Sequence, residues 1–152
     1  MLKKYWIYIT IVLILISLFI FNLDNKISIT EKNKFEIDNI ALITKIFLAD
    51  RNGNLITLEK INNAWLVNNL FTVREDAINT LLSTANKIRI KKPVSKAAFQ
   101  NVIKYIATTA VNVEFFIEDQ MIKSYKIGSN TPDHLGTYMI LKDSEIPFVM
   151  HI

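Results

Sequence analysis

Residues 5–23, YWIYITIVLILISLFIFNL, decide how the rest of the chain must be interpreted. This stretch has no charged residue, and Thr10, Ser17 and Asn22 are its only clearly polar members. As a helix, its nineteen residues would span about 28 Å, which approaches the thickness of the hydrocarbon core of a bilayer. A helix also satisfies every backbone N–H and C=O internally, as lipid requires. The stretch therefore predicts a single transmembrane helix.

The flanks of this stretch predict its orientation. Residues 1–4 contain Lys3 and Lys4, and such a positive flank favours the cytoplasmic side. The apolar run is longer than the ~7–15-residue core of a cleaved signal peptide, and no small-residue cleavage site follows it. We therefore expect an uncleaved signal anchor in the inner (cytoplasmic) membrane, with the N-terminus cytoplasmic and the chain after Leu23 extracytoplasmic. A cleaved signal peptide is the competing interpretation.

The composition of the remaining chain excludes several classes of protein. Residues 24–152 suffice for one domain with a hydrophobic core. Their formal charge is +2, because 16 Lys and Arg residues face 14 Asp and Glu residues. The only basic cluster is short, so we expect no nucleic-acid partner. The chain has no cysteine, which excludes disulfides, thiolate metal ligands and a cysteine nucleophile. We predict neither a cofactor nor a bound metal.

A polar stalk and a strand meander are predicted after the anchor. Residues 24–39 are mostly polar or charged, and we interpret them as a stalk that carries a domain at 40–152. An Asn-Gly pair at 52–53 and an Asn-Asn pair at 62–63 fit tight turns between strands. The strands that these turns would separate lie at 43–49, 55–61 and 64–67.

Two amphipathic helices are predicted after the meander. Thr72 and Glu75 have the spacing of a capping box, which starts the first helix. Its apolar face consists of Ile78, Leu81, Leu82, Ala85 and Ile88. An extended connector at 89–94 leads to Ser95, which predicts the cap of the second helix. The apolar face of that helix consists of Phe99, Val102, Ile103, Ile106 and Ala110.

The predicted fold is α+β. Four more strands follow the helices, and the loop at 128–136 is the only segment between them with concentrated turn chemistry. These strands lie at 111–117, 121–127, 138–141 and 147–152. Short links favour antiparallel pairing. We therefore expect an N-terminal transmembrane helix and a mainly antiparallel sheet of about seven strands, in the order meander, two helices, strands, with both helices packed on one face.

Three stretches together resemble a known family. They are ITKIFLAD at 43–50, KPVSKAA at 92–98 with NVIK at 101–104, and TPDHLGTYM at 131–139. They are similar to the domain-of-unknown-function family 4340, membrane-anchored bacterial proteins common in the Bacteroidota. Some relatives are encoded beside auxiliary proteins of gliding-type ABC transporters, which implies a role beside a transporter assembly. The resemblance implies no catalytic residues.

The end of the chain departs from this family. Similar proteins continue well past the segment that resembles residues 147–152, which here is an apolar strand without a polar tail. From this we expect a C-terminally truncated domain with an exposed sheet edge. An N-terminal fragment of a longer family member is therefore one alternative for what the chain is.

Catalytic and metal-binding arrangements find little support in the sequence. Asp133, His134 and His151 include suitable ligand types, but no His-x-x-x-His spacing supports a metal site. A tethered hydrolase acting on periplasmic glycan or peptide is the alternative function. It would require acids such as Glu114, Glu118 and Asp133 to converge in one pocket.

The adjacent Ser95 and Lys96 only superficially suggest a serine–lysine pair. Neighbouring residues at a helix start point in different directions, and Ser95 already has a role as a cap. We therefore predict no catalytic residue.

Two segments contain more charged, polar and turn-forming residues than packing requires. They are the basic stretch at 91–96 and the loop at 130–138. Loops on a rigid scaffold often carry recognition. The candidate binding residues are Lys92, Ser95, Lys96, Asn130, Thr131, Asp133 and Tyr138. The leading hypothesis is a non-enzymatic, membrane-anchored interaction module that contacts another envelope or membrane protein.

Overall fold

The structure is a computed structural model that describes residues 12–17 and 34–151. Residues 12–17 are helical and lie within the predicted anchor; the rest of the anchor, and residues 24–33 of the predicted stalk, lie outside the described residues. None of the helices in the two described ranges has both the length and the apolar character needed to cross a bilayer.

One antiparallel sheet of nine strands organises the domain. In chain order, the elements are a 3-10 turn (Ile40–Leu42), β1 (Lys45–Ala49), β2 (Leu55–Ile61), β3 (Ala64–Val67), β4 (Phe71–Thr72), α1 (Glu75–Lys87), β5 (Arg89–Pro93), α2 (Lys96–Thr109), β6 (Val111–Ile117), β7 (Gln120–Asn130), β8 (Thr137–Leu141) and β9 (Phe148–His151). Across the sheet the order is β4-β3-β2-β1-β6-β7-β8-β9-β5. The predicted α+β class with a mainly antiparallel sheet is confirmed.

Turn chemistry explains the meander β1–β3. Asn62 and Asn63 have positive φ angles of 50° and 64°, which gives the predicted two-residue turn between β2 and β3. The turn before β2 is longer than an Asn-Gly hairpin. There the Asp50 carboxylate accepts hydrogen bonds from the backbone N–H groups of Asn52 (2.8 Å) and Asn54 (2.9 Å). These bonds replace the missing ladder hydrogen bonds of a wider loop.

The two helices pack on opposite faces of the sheet, so the prediction of one shared face is wrong. In α1, Ile78 belongs to a core that includes Met139 of β8. In α2, Val102 and Ile106 pack instead with Ile140, the next residue of β8. Successive side chains of a strand point to opposite faces, so the two helices lie on different sides. The sheet is therefore a central layer with α1 on one face and α2 on the other.

The sheet has nine strands rather than about seven because two more segments join it as its edges. Thr72 lies in β4, paired with Leu66, so it is not the cap of α1. The N-cap of that helix is Arg74, without a side-chain cap bond, and the predicted capping box is wrong. The predicted connector at 89–94 forms the opposite edge strand, β5, which pairs with β9.

The last strand of the described chain is not a sheet edge. β9 lies between β8 and β5, and both neighbours pair with it. The exposed edge expected at 147–152 is therefore absent from the described residues.

The loop between β7 and β8 is shorter than the predicted loop at 128–136, because β7 continues to Asn130 and leaves residues 131–136 as the loop.

The folded domain includes residues that the sequence analysis assigned to the stalk. Phe35 is 0% exposed and Ile37 is also buried, and both belong to the core that α1 covers. The Ile37 backbone N–H donates to the Ala85 carbonyl of α1 (3.2 Å), and Arg89 forms an ion pair with Glu36 at 2.6 Å. Residues 34–39 are therefore part of the domain.

Candidate functional site

A cleft of about 320 Å³, here called the loop cleft, lies between the β5–α2 junction and the loop at 131–136. It contains five of the seven predicted binding residues: Lys92, Ser95, Thr131, Asp133 and Tyr138. The remaining lining residues are Lys91, Pro93, Val94, Ala98, Pro132 and Val149. The two segments that the sequence analysis singled out therefore meet at one site.

Strand pairing explains why these distant segments meet. Val149 of β9 pairs with Tyr138 of β8 on one side and with Lys92 of β5 on the other. Paired residues in an antiparallel sheet share a face, so the three side chains form a row. α2 begins after β5, and its Ala98 lines the cleft above this row. Strand β9 therefore lies between β5, which leads to the α2 side of the cleft, and β8, which follows the loop on the other side.

Two predicted residues lie outside the loop cleft. Lys96 is the first residue of α2 and is exposed. Asn130 accepts a hydrogen bond from the Thr137 hydroxyl (3.2 Å) and lines a separate depression that also contains His151. Asn130 therefore closes the end of the β7–β8 hairpin rather than lining the cleft.

The loop at 131–136 is braced by hydrogen bonds within itself. The buried Thr131 hydroxyl donates to the Asp133 carboxylate, which also accepts from the Leu135 backbone N–H (3.1 Å). The Thr131 backbone N–H donates to the Gly136 carbonyl at 2.8 Å. The Thr131 hydroxyl, the Leu135 N–H and the nearby Lys91 charge hold the pKa of the Asp133 carboxyl below its usual range. The carboxylate therefore fixes the loop.

The rim of the loop cleft is cationic and its floor is largely apolar. Lys91 and Lys92 are exposed at the rim, and the Lys91 ammonium reaches the Leu135 carbonyl at 3.4 Å. The Ser95 hydroxyl accepts from the Ala98 backbone N–H at 3.3 Å, which confirms the predicted cap of α2. Lys91 and Lys92 outnumber Asp133, the carboxylate in the described lining, so the cleft keeps an excess of positive charge that suits an anionic group.

The acids required for a hydrolase do not converge. Glu118 lies in the β6–β7 turn, at the opposite end of β7 from Asp133. The eleven residues of β7 separate the two ends by about 30 Å. Glu114 lies within β6 and accepts from the Asn112 amide (3.2 Å). Among the described residues, no three His, Cys, Asp or Glu side chains are grouped closely enough to hold a metal ion.

A second cleft of about 520 Å³, here called the lysine cleft, opens near the start of the described domain. Lys34, Lys123 and Lys142 line it, and the Lys123 ammonium donates to the Lys34 carbonyl at 2.7 Å. Burial lowers the pKa of the Lys123 ammonium, while the charges of Asp38 and Glu36 act in the opposite direction. The sequence contains no sign of this cleft, because its lysines come from the predicted stalk, a strand and a turn, with no common spacing.

No protein-family model matches this chain, and no curated protein or solved structure matches it. The resemblance to family 4340 therefore stays a prediction.

Proposed function

We propose that this chain is a single-pass envelope protein, anchored in the inner membrane by residues 5–23, whose domain binds another envelope protein through the loop cleft. The observation that supports this proposal is that the basic stretch at 91–96 and the loop at 130–138 meet at one cleft.

The chemistry of the cleft suggests what its partner presents. Lys91 and Lys92 supply positive charge at the rim, whereas Val94 and Val149 supply apolar surface below it. Tyr138 adds an aromatic side chain, a type that is enriched at binding surfaces because its rigid ring offers large contact area. We expect the occupant to be a short acidic segment of the partner with at least one apolar side chain. By the family resemblance, that partner belongs to a transporter assembly.

A photo-crosslinking experiment in intact cells tests the binding site. The photoreactive amino acid p-benzoylphenylalanine replaces Tyr138 in the full chain, and it replaces Tyr105 in a matched control. Tyr105 lies on α2 and is 57% exposed, so it samples a different surface of the same domain. We expect a heavier adduct from position 138 that position 105 does not give.

Charge reversal makes this experiment specific. Lys91→Glu together with Lys92→Glu should weaken the adduct from position 138, because the rim would then repel an acidic segment. Identical adduct patterns at positions 138 and 105, or an adduct that is indifferent to charge reversal, would contradict the proposed site.

The proposed topology has its own test. A reporter enzyme that folds only outside the cytoplasm, fused after Ile152, should be active, whereas a cytoplasm-only reporter at the same place should be silent. The reverse result would invert the proposed orientation and remove the envelope partner.

A further inference from the structure

The turn between β1 and β2 contains the only asparagine–glycine pair in the chain, Asn52 and Gly53. Both residues are exposed. Gly53 has a φ of +86°, and apart from its chain neighbours no atom lies within 4 Å of the position that a Cβ atom would occupy there. The peptide bond between Asn52 and Gly53 is therefore open to solvent and uncrowded.

Hydrogen bonds do not hold the two groups that face each other across this peptide bond. Among the described residues, neither the side-chain amide of Asn52 nor the backbone N–H of Gly53 makes a hydrogen bond. The side chain of Asn68, in another turn, is engaged, because its amide oxygen accepts the Thr57 backbone N–H at 2.9 Å. The Asn52 side chain is therefore free to turn towards the nitrogen of Gly53.

These two groups can react with each other. The Gly53 backbone nitrogen, after it gives its proton to a base in solvent, attacks the Asn52 side-chain carbon Cγ. The new bond from nitrogen to Cγ closes a succinimide ring, while the bond from Cγ to Nδ2 breaks and Nδ2 takes a proton from solvent and leaves as ammonia. Water then opens the ring at either carbonyl. The products are aspartate and isoaspartate, in which the main chain passes through the side-chain carbon.

The absence of a side chain at Gly53 favours this reaction. Attack within one molecule is fast when the two atoms reach the required geometry, and glycine neither blocks the approach nor restricts the backbone. Asn62 and Asn63 form another exposed turn, and they provide a contrast. There the attacking nitrogen would belong to Asn63, whose Cβ atom hinders its approach to the Asn62 side chain.

We propose that Asn52 is a site of spontaneous deamidation through a succinimide formed with the Gly53 nitrogen, and that Asp50 limits its rate. The Asp50 carboxylate accepts the backbone N–H groups of Asn52 (2.8 Å) and Asn54 (2.9 Å), one on each side of Gly53. Ring closure requires rotation of the main chain at Asn52, which these bonds restrict. This inference is independent of the membrane anchor and of the loop cleft.

The reaction would weaken the β1–β2 hairpin. A carboxylate at position 52 changes the formal charge of the chain from +4 to +3 and lies close to the Asp50 carboxylate, which it repels. Isoaspartate also adds one carbon to the main chain between the two N–H groups that Asp50 accepts. Because β1 pairs with β6 as well as with β2, we expect the modified protein to unfold at a lower temperature.

Peptide mapping of the purified full chain tests the site. The protein is kept in detergent in mildly alkaline water enriched in heavy oxygen, so each ring that opens during the incubation gains one heavy oxygen atom. Mass spectrometry locates that atom, and synthetic peptides identify aspartate and isoaspartate by their elution. Asn62 is the control within the same molecule. Gly53→Ala and Asp50→Ala are the test variants.

We expect conversion at Asn52 to be at least about tenfold faster than at Asn62, with isoaspartate among the products. Gly53→Ala should slow conversion at Asn52, because the added methyl group hinders the nitrogen. Strain at the positive φ would loosen the turn and act in the opposite direction, so it does not account for slowing. Asp50→Ala should accelerate conversion, because the turn loses both carboxylate bonds.

Three results would overturn the proposal. Equal rates at Asn52 and Asn62 would remove the special role of the site. Conversion at Asn52 that yields aspartate alone and is unchanged in Gly53→Ala would indicate direct hydrolysis of the side chain without the ring. A rate that is unchanged or lower in Asp50→Ala would show that the Asp50 carboxylate does not limit the reaction.

Discussion

The ring of Phe35 meets the ring of Phe148 edge to face, with centroids 6.0 Å apart and planes inclined at 76°. Both rings are buried, at 0% and 5% exposure. Phe35 precedes every strand of the sheet, while Phe148 begins β9. The contact therefore links the start of the described domain to β9, the strand that lies between the two sides of the loop cleft.

Replacing Phe35 tests whether this segment belongs to the core. Phe35→Ala should lower the free energy of unfolding by about 3–5 kcal/mol, because it removes a buried ring and leaves a cavity. The exposed Leu70→Ala is the control and should change stability by no more than about 0.5 kcal/mol. Urea denaturation measures both. A loss for Phe35→Ala as small as that of the control would mean that residues 34–39 are not part of the core.

The two predicted helix caps should respond differently to alanine. Ser95→Ala should cost about 1 kcal/mol, because the Ser95 hydroxyl accepts the Ala98 N–H at the start of α2. Thr72→Ala should cost less than about 0.5 kcal/mol, because Thr72 is exposed in β4 and caps no helix. The same denaturation series compares them. Equal losses of stability for the two variants would contradict this assignment and would support the predicted capping box at Thr72.

Gly136 tolerates no side chain. A Cβ atom there would lie 2.6 Å from Val149 Cγ1 and 2.8 Å from the Met150 carbonyl oxygen. Gly136→Ala should therefore destabilise the domain by about 1–3 kcal/mol, since β9 must move to admit the methyl group. Gly53→Asn is the comparison, because Gly53 has open space around it, so only the backbone strain at its φ of +86° should lower stability, and asparagine bears positive φ better than most residues. Its loss should be smaller than that of Gly136→Ala. Thermal unfolding that leaves both variants near the wild-type midpoint would argue against this tight contact.

Acid should loosen the loop cleft through Asp133. Its pKa is lowered in the folded loop, first by the Thr131 hydroxyl, so its stabilising effect is present above the ordinary carboxyl pKa of about 3.9. The effect is lost as the pH falls through the lower, folded-state pKa. Asp133→Asn should lack this contribution, so its unfolding midpoint should fall less than that of the wild type between about pH 5 and about pH 2. Parallel decreases in the two proteins would contradict this role.

Alkali should destabilise the core through Tyr125. Burial raises the pKa of the Tyr125 phenol, which is 2% exposed. The folded state therefore favours the protonated phenol, and the contribution of this group is full below the ordinary tyrosine pKa of about 10 and is lost as the pH rises towards the raised value. Tyr125→Phe should be less sensitive than the wild type to a change from about pH 8 to about pH 11. Equal sensitivity, measured by circular dichroism, would count against it.

Local chemistry accounts for the parts of the fold that the sequence predicts. The bounds of β2, β3 and β6 agree with the predicted strands, because period-2 apolar patterns and Asn or Asp turns are encoded within a few residues. The predicted apolar face of α1 is confirmed for the same reason, and that of α2 is confirmed except for Phe99, which lies outside both cores. The residues that are buried on these faces are Ile78, Ala85, Val102 and Ile106.

Long-range pairing accounts for most of what was missed. Periodicity identifies the apolar side of a helix, but it does not reveal which face of a sheet that side will cover. β5 contains only one buried residue, Ile90, and becomes a strand because β9 lies beside it. Phe35 stands in a polar segment, so only the tertiary structure shows its burial.

The same distinction applies to the candidate site. The sequence indicated Lys92 and Tyr138 separately, from the basic stretch and the turn-rich loop. It contained no sign that both would pair with Val149, because that pairing depends on the position of β9 in the sheet. The lysine cleft was missed altogether, since Lys34, Lys123 and Lys142 become neighbours only in the folded domain.

The position of β9 between β8 and β5 has a consequence for how the protein folds. Ile90 pairs with Met150, sixty residues later, whereas within the meander β1–β4 each strand pairs with the next strand along the chain. A chain that emerges from its N-terminus onward can form the meander early, but β5 has no partner strand until β9 has appeared. Pairing between such distant segments is slow, because a long loop must close before any contact forms. The loop cleft therefore cannot form before β9 is available, and a chain whose synthesis stalls before β9 could have the meander but would lack the cleft.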